Sequence, residues 1–390
     1  MTQEFPFLLA CVRSLFDSEA SRPPPPPVGL DWRRVVQLAE RHAVVAMFCQ
    51  AVRGSDDIPV DILTCLQRRA VEAARFDLTL SAELARLLKL FEFHEIETVA
   101  LKGPALRATL YGDAALRSSS DLDLLVRPRD VLRAKQALEG AGYYMQSIMP
   151  SRAAEACLRR RDCQITLSRA ITEQEDLLFV DLHWRLLPGY FPRSFDEHEL
   201  WGTLRQVSVA GTAVSTLSTE NLLLFLCTHG TKHLWERLGW LCDVARLVQV
   251  EPGIDWARVF AEARQTDTSR MVVLGLLLAS ELLGIDLPSA ALEYTSKDRA
   301  ARELVETVSR RLHDQILTPA TAMESAAFSR GAFEHTGHRI RFLVGIFLEP
   351  TEAEYEALKL PLPLHWLYYF FRPLRLAFKY ARIRKSKETE

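Results

Sequence analysis

No apolar run in this chain is long enough to span a bilayer as a helix. The start, Met1-Thr2-Gln3-Glu4-Phe5-Pro6, has neither the basic residues nor the apolar stretch of a secretory signal, so a cytoplasmic location is expected. An excess of one charge is missing too. The 48 Lys and Arg nearly balance the 50 Asp and Glu, and a net charge of −2 exerts no general pull on nucleic acid. The 7 cysteines are scattered as Cys11, Cys49, Cys65, Cys157, Cys163, Cys227 and Cys242. Their odd number and the lack of Cys-x-x-Cys argue for reduced thiols, against a disulfide framework or a zinc ribbon. There is no Gly-x-x-x-x-Gly-Lys-Ser/Thr and no Gly-x-Ser-x-Gly, which removes P-loop and α/β-hydrolase chemistry. What remains is a globular composition, 48% hydrophobic and 25% charged, in 390 residues, enough for two or three cores.

The most informative stretch is Asp121-Leu122-Asp123-Leu124-Leu125-Val126. On a strand, alternate side chains share a face, so Asp121 and Asp123 project together while Leu122, Leu124 and Val126 turn to the other side. Two neighbouring carboxylates repel unless a cation lies between them, and hard oxygen ligands suit Mg²⁺ or Mn²⁺. A third acid, Asp181, sits in another apolar run, Leu177 to Leu182. Three converging strand acids make a two-metal phosphoryl-transfer site. An Asp-x-Asp also occurs as a turn or cap acid, so the pair needs its surroundings.

Before the acids, residues 1–20 read as a short amphipathic helix. Pro23 to Pro27 read as a polyproline segment, a stiff spacer or an SH3-type ligand. One helix is expected from Asp31 to about Val52, and helical periodicity from Ile58 to His94. This arm shows no catalytic constellation. Residues 97–101 form a short strand that turns at Lys102-Gly103-Pro104 into a helix, whose exposed N–H groups favour an anion. Arg117 can bind phosphate oxygens or pair with Asp113 or Asp121, and Ser119 and Ser120 lead into the carboxylates. A basic helix is expected over 151–161, then strands over 164–168 and 177–184. His183 shares the Asp181 face and can orient a carboxylate, bind phosphate or pack in the core; Trp184 should face the core. A hairpin around Gly211-Thr212 precedes a helix capped by Ser218. On it, His229 and His233 have zinc-ligand spacing around Lys232, but Gly230 stands where the zinc-protease pattern has glutamate. Helix packing and lining of a base or acceptor pocket are the other roles. Helices continue from Trp256 to about Glu349.

Several motifs, Leu101-Lys102-Gly103-Pro104, Tyr111-Gly112, Arg117-x-x-x-Asp121-Leu122-Asp123-Leu124-Leu125-Val126 and Asp181-Leu182-His183-Trp184, resemble a bacterial family of uncharacterised nucleotidyltransferase-like proteins. That family lies within the DNA polymerase β-type nucleotidyltransferase superfamily. The resemblance spans about 44–248; Trp235, Arg237, Trp240 and Asp243 fit it as well. It implies an α+β fold, a mixed sheet with flanking helices. It also implies metal ligation and catalysis by Asp121, Asp123 and Asp181, with Lys102 and Gly103 facing the triphosphate. Nucleotide contacts from Arg117, Ser119, Ser120, His183, His229, Lys232 and His233 complete the expected site. Pro104 replaces the superfamily's second Gly or Ser, so no hydroxyl meets the phosphate there, and the interval from Gly103 to Asp121 is longer than usual.

The expected organisation is a helical region 1–95, a catalytic core 96–218, a helical domain 219–350 and an aromatic, basic tail 351–390. The expected activity is Mg²⁺-dependent transfer of a nucleoside monophosphate, with ATP the first choice of donor. The acceptor is a hydroxyl on a small molecule, glycan precursor, peptide or protein. The competing reading is a catalytically impaired nucleotide-binding or interaction protein, associated with envelope polysaccharide assembly. Leu364 to Phe371 followed by Arg372, Arg375, Lys379, Arg382, Arg384, Lys385 and Lys387 can dock on the body through Trp366, Phe370 and Leu374, or meet a membrane surface or partner.

Overall fold

Short leucine- and valine-rich runs between residues 98 and 183 pair into one mixed sheet. The computed structural model describes residues 3–17, 23–112, 115–145, 162–171, 177–189, 191, 195–313 and 321–387. The strands are β1 (Thr98–Ala100), β2 (Leu122–Val126), β3 (Tyr144–Met145), β4 (Gln164–Ala170) and β5 (Leu177–His183), in the order β1-β2-β5-β4-β3. β2 and β5 run parallel; the other pairs are antiparallel. In this register Asp123 stands opposite Asp181. The architecture is the α+β mixed sheet with flanking helices expected from the sequence.

Alternation gives the sheet two different faces. Leu122, Leu124, Val126, Val180 and Leu182 share a core with Leu80, Leu84, Leu87 and Phe91 of the helix Val60–Phe93, and with Ala134 and Leu138 of the helix Val131–Gly140. Trp184 joins that core, as anticipated. The opposite face carries Asp123, Asp181 and His183, and it turns toward the helix Thr219–Lys232. A hairpin of β6 (Arg205–Val209) and β7 (Thr212–Thr216) leans on the edge of the sheet, where the Thr216 hydroxyl donates to the Ala100 carbonyl at 2.8 Å.

Two local expectations need correction. The helix expected from Asp31 to Val52 is two helices, Trp32–Arg41 and Val45–Ala51, broken at Ala43 with φ 55°. Tertiary bonds favour the break: the Leu238 N–H donates to His42 Nδ1, and the Gly239 N–H donates to the His42 carbonyl. The hairpin turns at Ala210-Gly211, one residue earlier than expected. Both residues have positive φ, which matches the twist of the strands. The expected helix over 151–161 lies outside the described residues.

Phe5, Leu8 and Phe48 from the first helices share one apolar cluster with Leu223 and Leu274 from helices after the hairpin and with Trp235 from a turn between them. Trp235 fits because Gly230 leaves room; a Cβ there would meet its ring at 2.5 Å. The tail helix Tyr368–Lys387 docks, but by the face opposite to the one expected. Tyr368 and Arg372 are buried, whereas Trp366, Phe370 and Leu374 are exposed by 57%, 63% and 59%. The reason is electrostatic: Glu354, fully buried, pairs with Arg372 at 2.9 Å and with Arg375, and this fixes the helix rotation. Among the described residues no helix is long and apolar enough to cross a membrane.

Candidate active site

β2 and β5 bring their acids together at the C-terminal side of the β1 turn. Asp123 is 5% exposed, and its Oδ1 lies 3.1 Å from His183 Nε2. Asp181 accepts from Gln164 Nε2 at 2.7 Å and from the Thr166 hydroxyl. Ligand atoms of Asp123, Asp181 and His183 all lie within 4.8 Å of one another. Asp121, one residue ahead of β2, is not in that tight group. It lines the same cavity, of about 390 Å³, with Asp123 and Asp181.

The turn after β1 faces these acids. Lys102 is buried, and its Nζ bonds His229 Nδ1 at 2.8 Å while lying 5.1 Å from the Phe225 ring centre. Gly103 follows with φ 61°, and a Cβ there would stand 2.9 Å from the Asp121 carbonyl oxygen. Glycine is therefore required twice, by conformation and by the close approach of the carboxylate loop.

Burial dominates the charges. Asp121 is pushed up to about 6 by burial, reinforced by Asp123 and Asp181. Asp181 is raised by burial and by Asp123. For Asp123 burial acts in the same direction, but Lys102 and the His183 bond outweigh it and hold the carboxyl well below its usual range. Burial works against a charged His183 as well, yet the bond to Asp123 outweighs it and raises the imidazole to about 9. Burial lowers Lys102, with Asp123 and Asp121 opposing. The centre thus keeps one anchored carboxylate and two that strain against it, an arrangement that favours entry of a cation. The donor set suits one: a carboxylate offers about four lone-pair directions, so Asp123 and Asp181 keep free ones beside their present bonds.

Arg117 lines the cavity, and its ion-pair partner is Asp243 rather than Asp121. Its Nε reaches both carboxylate oxygens of Asp243, at 3.0 and 3.1 Å, and its Nη1 lies 3.2 Å from the Ser119 hydroxyl. Asp113 lies outside the described residues. The Tyr111 hydroxyl donates to Asp243 at 3.2 Å. Asp243, which fits the family resemblance, is the anchor that fastens the Arg117–Ser120 loop to the helix Leu238–Val250.

Ser119, Ser120, His229, Lys232 and His233 line the cavity with Lys102 and Arg117. His183 lies behind Asp123, on a smaller neighbouring cavity, and Gly103 contributes backbone rather than a side chain. The His229 and His233 rings, 4.6 Å apart, both pack on Trp240. No third ligand joins that pair among the described residues. Burial and the nearby Lys102 hold His229 neutral. Sequence reasoning missed Gln164 and Thr166, which grip Asp181. Their alternation on a strand beside β5 was the available signal. It also missed Met47, by which the N-terminal arm reaches the cavity wall.

A family model described as "Uncharacterised nucleotidyltransferase" matches residues 29–284. No curated protein matches the chain at a significant level. Among solved structures, the chain is similar to an antigenic nucleotidyltransferase-like protein from Paracoccidioides brasiliensis, at 15% identity and a TM-score of 0.31. That likeness covers 50% of this chain and 91% of the other. The family match takes in the carboxylates, the Lys102-Gly103 turn and the helix of His229, and by it this chain belongs to the uncharacterised nucleotidyltransferase family.

Proposed function

We propose that the protein transfers a nucleoside monophosphate from a nucleoside triphosphate, ATP being the first to test, to an acceptor hydroxyl, with release of pyrophosphate. The observation that carries this reading is the register of β2 and β5, which sets Asp123 beside Asp181 on the floor of a polar cavity. Asp121, Asp123 and Asp181 would hold Mg²⁺ or Mn²⁺, which when bound neutralises the phosphates and acidifies the attacking hydroxyl. Lys102 and the helix start at Gly103 bind the triphosphate oxygens by charge and by N–H groups. Pro104 supplies neither, so Ser119, Ser120 and Lys232 complete that binding. Asp181, raised by burial, is more basic than an ordinary carboxylate and accepts the proton of the acceptor hydroxyl. Trp240 and His233 offer flat surfaces for a base. The uncharged His229 keeps Lys102 aimed inward without adding positive charge.

The test is incubation with each α-labelled nucleoside triphosphate and Mg²⁺ or Mn²⁺, comparing the wild type with Asp123→Asn. Label transfer or pyrophosphate release should be lost in the variant; activity that survives it rejects the assignment. The second reading, a nucleotide binder with impaired catalysis, draws on the bonds that already engage both oxygens of Asp181. It expects nucleotide binding without pyrophosphate release. For the tail, vesicle flotation with and without residues 364–390 tests a membrane contact through the exposed Trp366, Phe370, Leu374 and Phe378.

A further inference from the structure

The turn between the helices Trp256–Thr266 and Ser269–Leu283 gathers a second set of metal-ligating groups, separate from the carboxylate centre. Asp267 occupies that turn with φ 57° and is only 2% exposed. Glu334, His335 and His338, around the start of the helix Thr336–Phe347, face it. His338 Nδ1 is 2.6 Å from Asp267 Oδ2, a firm hydrogen bond. Asp267 Oδ1 is buried and makes no hydrogen bond. His335 Nδ1 stands 3.5 Å from it, longer than a normal N–H···O bond. Ligand atoms of Asp267, Glu334 and His335 lie within 4.8 Å of one another.

A buried carboxylate oxygen without a donor is costly, and here it points into a cluster of nitrogen and oxygen ligands. Around a tetrahedral zinc, with bonds of roughly 2.0–2.2 Å, neighbouring ligand atoms stand about 3.3 Å apart. The His335 to Asp267 spacing is close to that value. Imidazole with carboxylates suits zinc, whereas Mg²⁺ and Ca²⁺ prefer oxygen alone.

We propose that Asp267 Oδ1, Glu334 and His335 Nδ1 form a zinc site, with His338 orienting Asp267 through its other oxygen. The His335 side chain is 67% exposed, which leaves a path for the ion and a place for water as the fourth ligand. The ion fastens the helix Thr336–Phe347, beyond the family-matched segment 29–284, to a turn inside that segment. Arg270 already spans the same gap, donating to the carbonyls of Gly331 and Phe333 at 2.8 and 3.2 Å. The site is a structural clamp and takes no part in nucleotidyl transfer.

The experiment uses the full chain carrying Asp123→Asn, which disables the carboxylate centre, stripped with a chelator that is then removed and kept in excess Mg²⁺ to suppress weak binding to surface carboxylates. Zn²⁺ is added by equilibrium dialysis with metal analysis, and Co²⁺ serves as a visible probe. One equivalent of Zn²⁺ should bind, Co²⁺ should give a tetrahedral absorption spectrum, and Zn²⁺ should raise Tm. His338→Ala should weaken binding ~10–100-fold. His335→Ala should remove both the binding and the Tm shift. Glu334→Gln is a second, milder variant, and circular dichroism confirms folding of each. Absence of stoichiometric Zn²⁺, or equal binding with and without His335→Ala and Glu334→Gln, overturns the proposal.

Discussion

Asp121 shows most directly how one residue's surroundings set its chemistry. Its carboxyl titrates at about 6 because burial and two neighbouring acids disfavour its charge. A raised carboxyl contributes stability that is present below the ordinary value and lost as pH rises through 6. Metal-free protein should therefore lose stability over that window. Asp121→Asn should be more stable than the wild type at pH 7 by about 1–2 kcal/mol, a figure discounted for partial exposure. Calorimetry without and with Mg²⁺ checks this: the gain should shrink when the ion is present. A variant no more stable than wild type in chelator would mean that the acids do not repel as described. Asp121, Asp123 and Lys102 were legible in the sequence because strand alternation and a Gly-Pro helix start are local signals. The partners of Arg117 and Asp181 were not, since Asp243 is 126 residues from Arg117 and Gln164 lies on another strand.

Elements carry the next level of constraint. The helix Gly103–Tyr111 begins where its first residue must have φ 61° and must let the Asp121 carbonyl approach. Gly103→Ala should cost ~1–2 kcal/mol in backbone strain alone. It should also displace the Asp121 loop, so nucleotide binding by calorimetric titration should weaken along with stability. Normal binding in a folded Gly103→Ala protein would detach this turn from the nucleotide. The tail helix is held by Glu354, whose carboxyl is drawn down to about 2; burial opposes this, but its bonds to Thr351, Arg375 and Arg372 outweigh it. A depressed carboxyl contributes stability above its ordinary value and loses it as pH falls toward 2. Glu354→Ala leaves two guanidinium groups without their buried partner and should cost ~3–5 kcal/mol locally. Limited proteolysis should then cut the tail faster at neutral pH. Large apolar residues spaced four apart made Trp366, Phe370 and Leu374 look like the docking face, but spacing alone does not choose between two sides. A fully buried glutamate on another helix made the choice.

The whole molecule depends on N-terminal helices seated on helices from the second half of the chain. His42 sits at that junction, its Nδ1 accepting from Leu238 and its ring 5.0 Å from Phe5. Burial, assisted by Arg41 and Arg237, pushes His42 down to about 4. A depressed imidazole contributes stability above its ordinary value of 6.5 and loses it as pH falls toward 4. Urea unfolding at pH 7 and at pH 4.5 should differ by up to about 3 kcal/mol from this residue. In His42→Gln that part of the acid loss should disappear; an unchanged acid profile would place the sensitivity elsewhere. By itself the sequence determined the two faces of β2, which follow from period-two patterning within about ten residues, while the α+β class and the choice of the three acids drew on the resemblance to a known family. Only the tertiary structure decided where the helix after Asp31 breaks, that Asp243 takes Arg117, that Met47 walls the cavity and which face of the tail turns inward. Those outcomes are set by partners far along the chain, whose burial and charge outweigh any local preference.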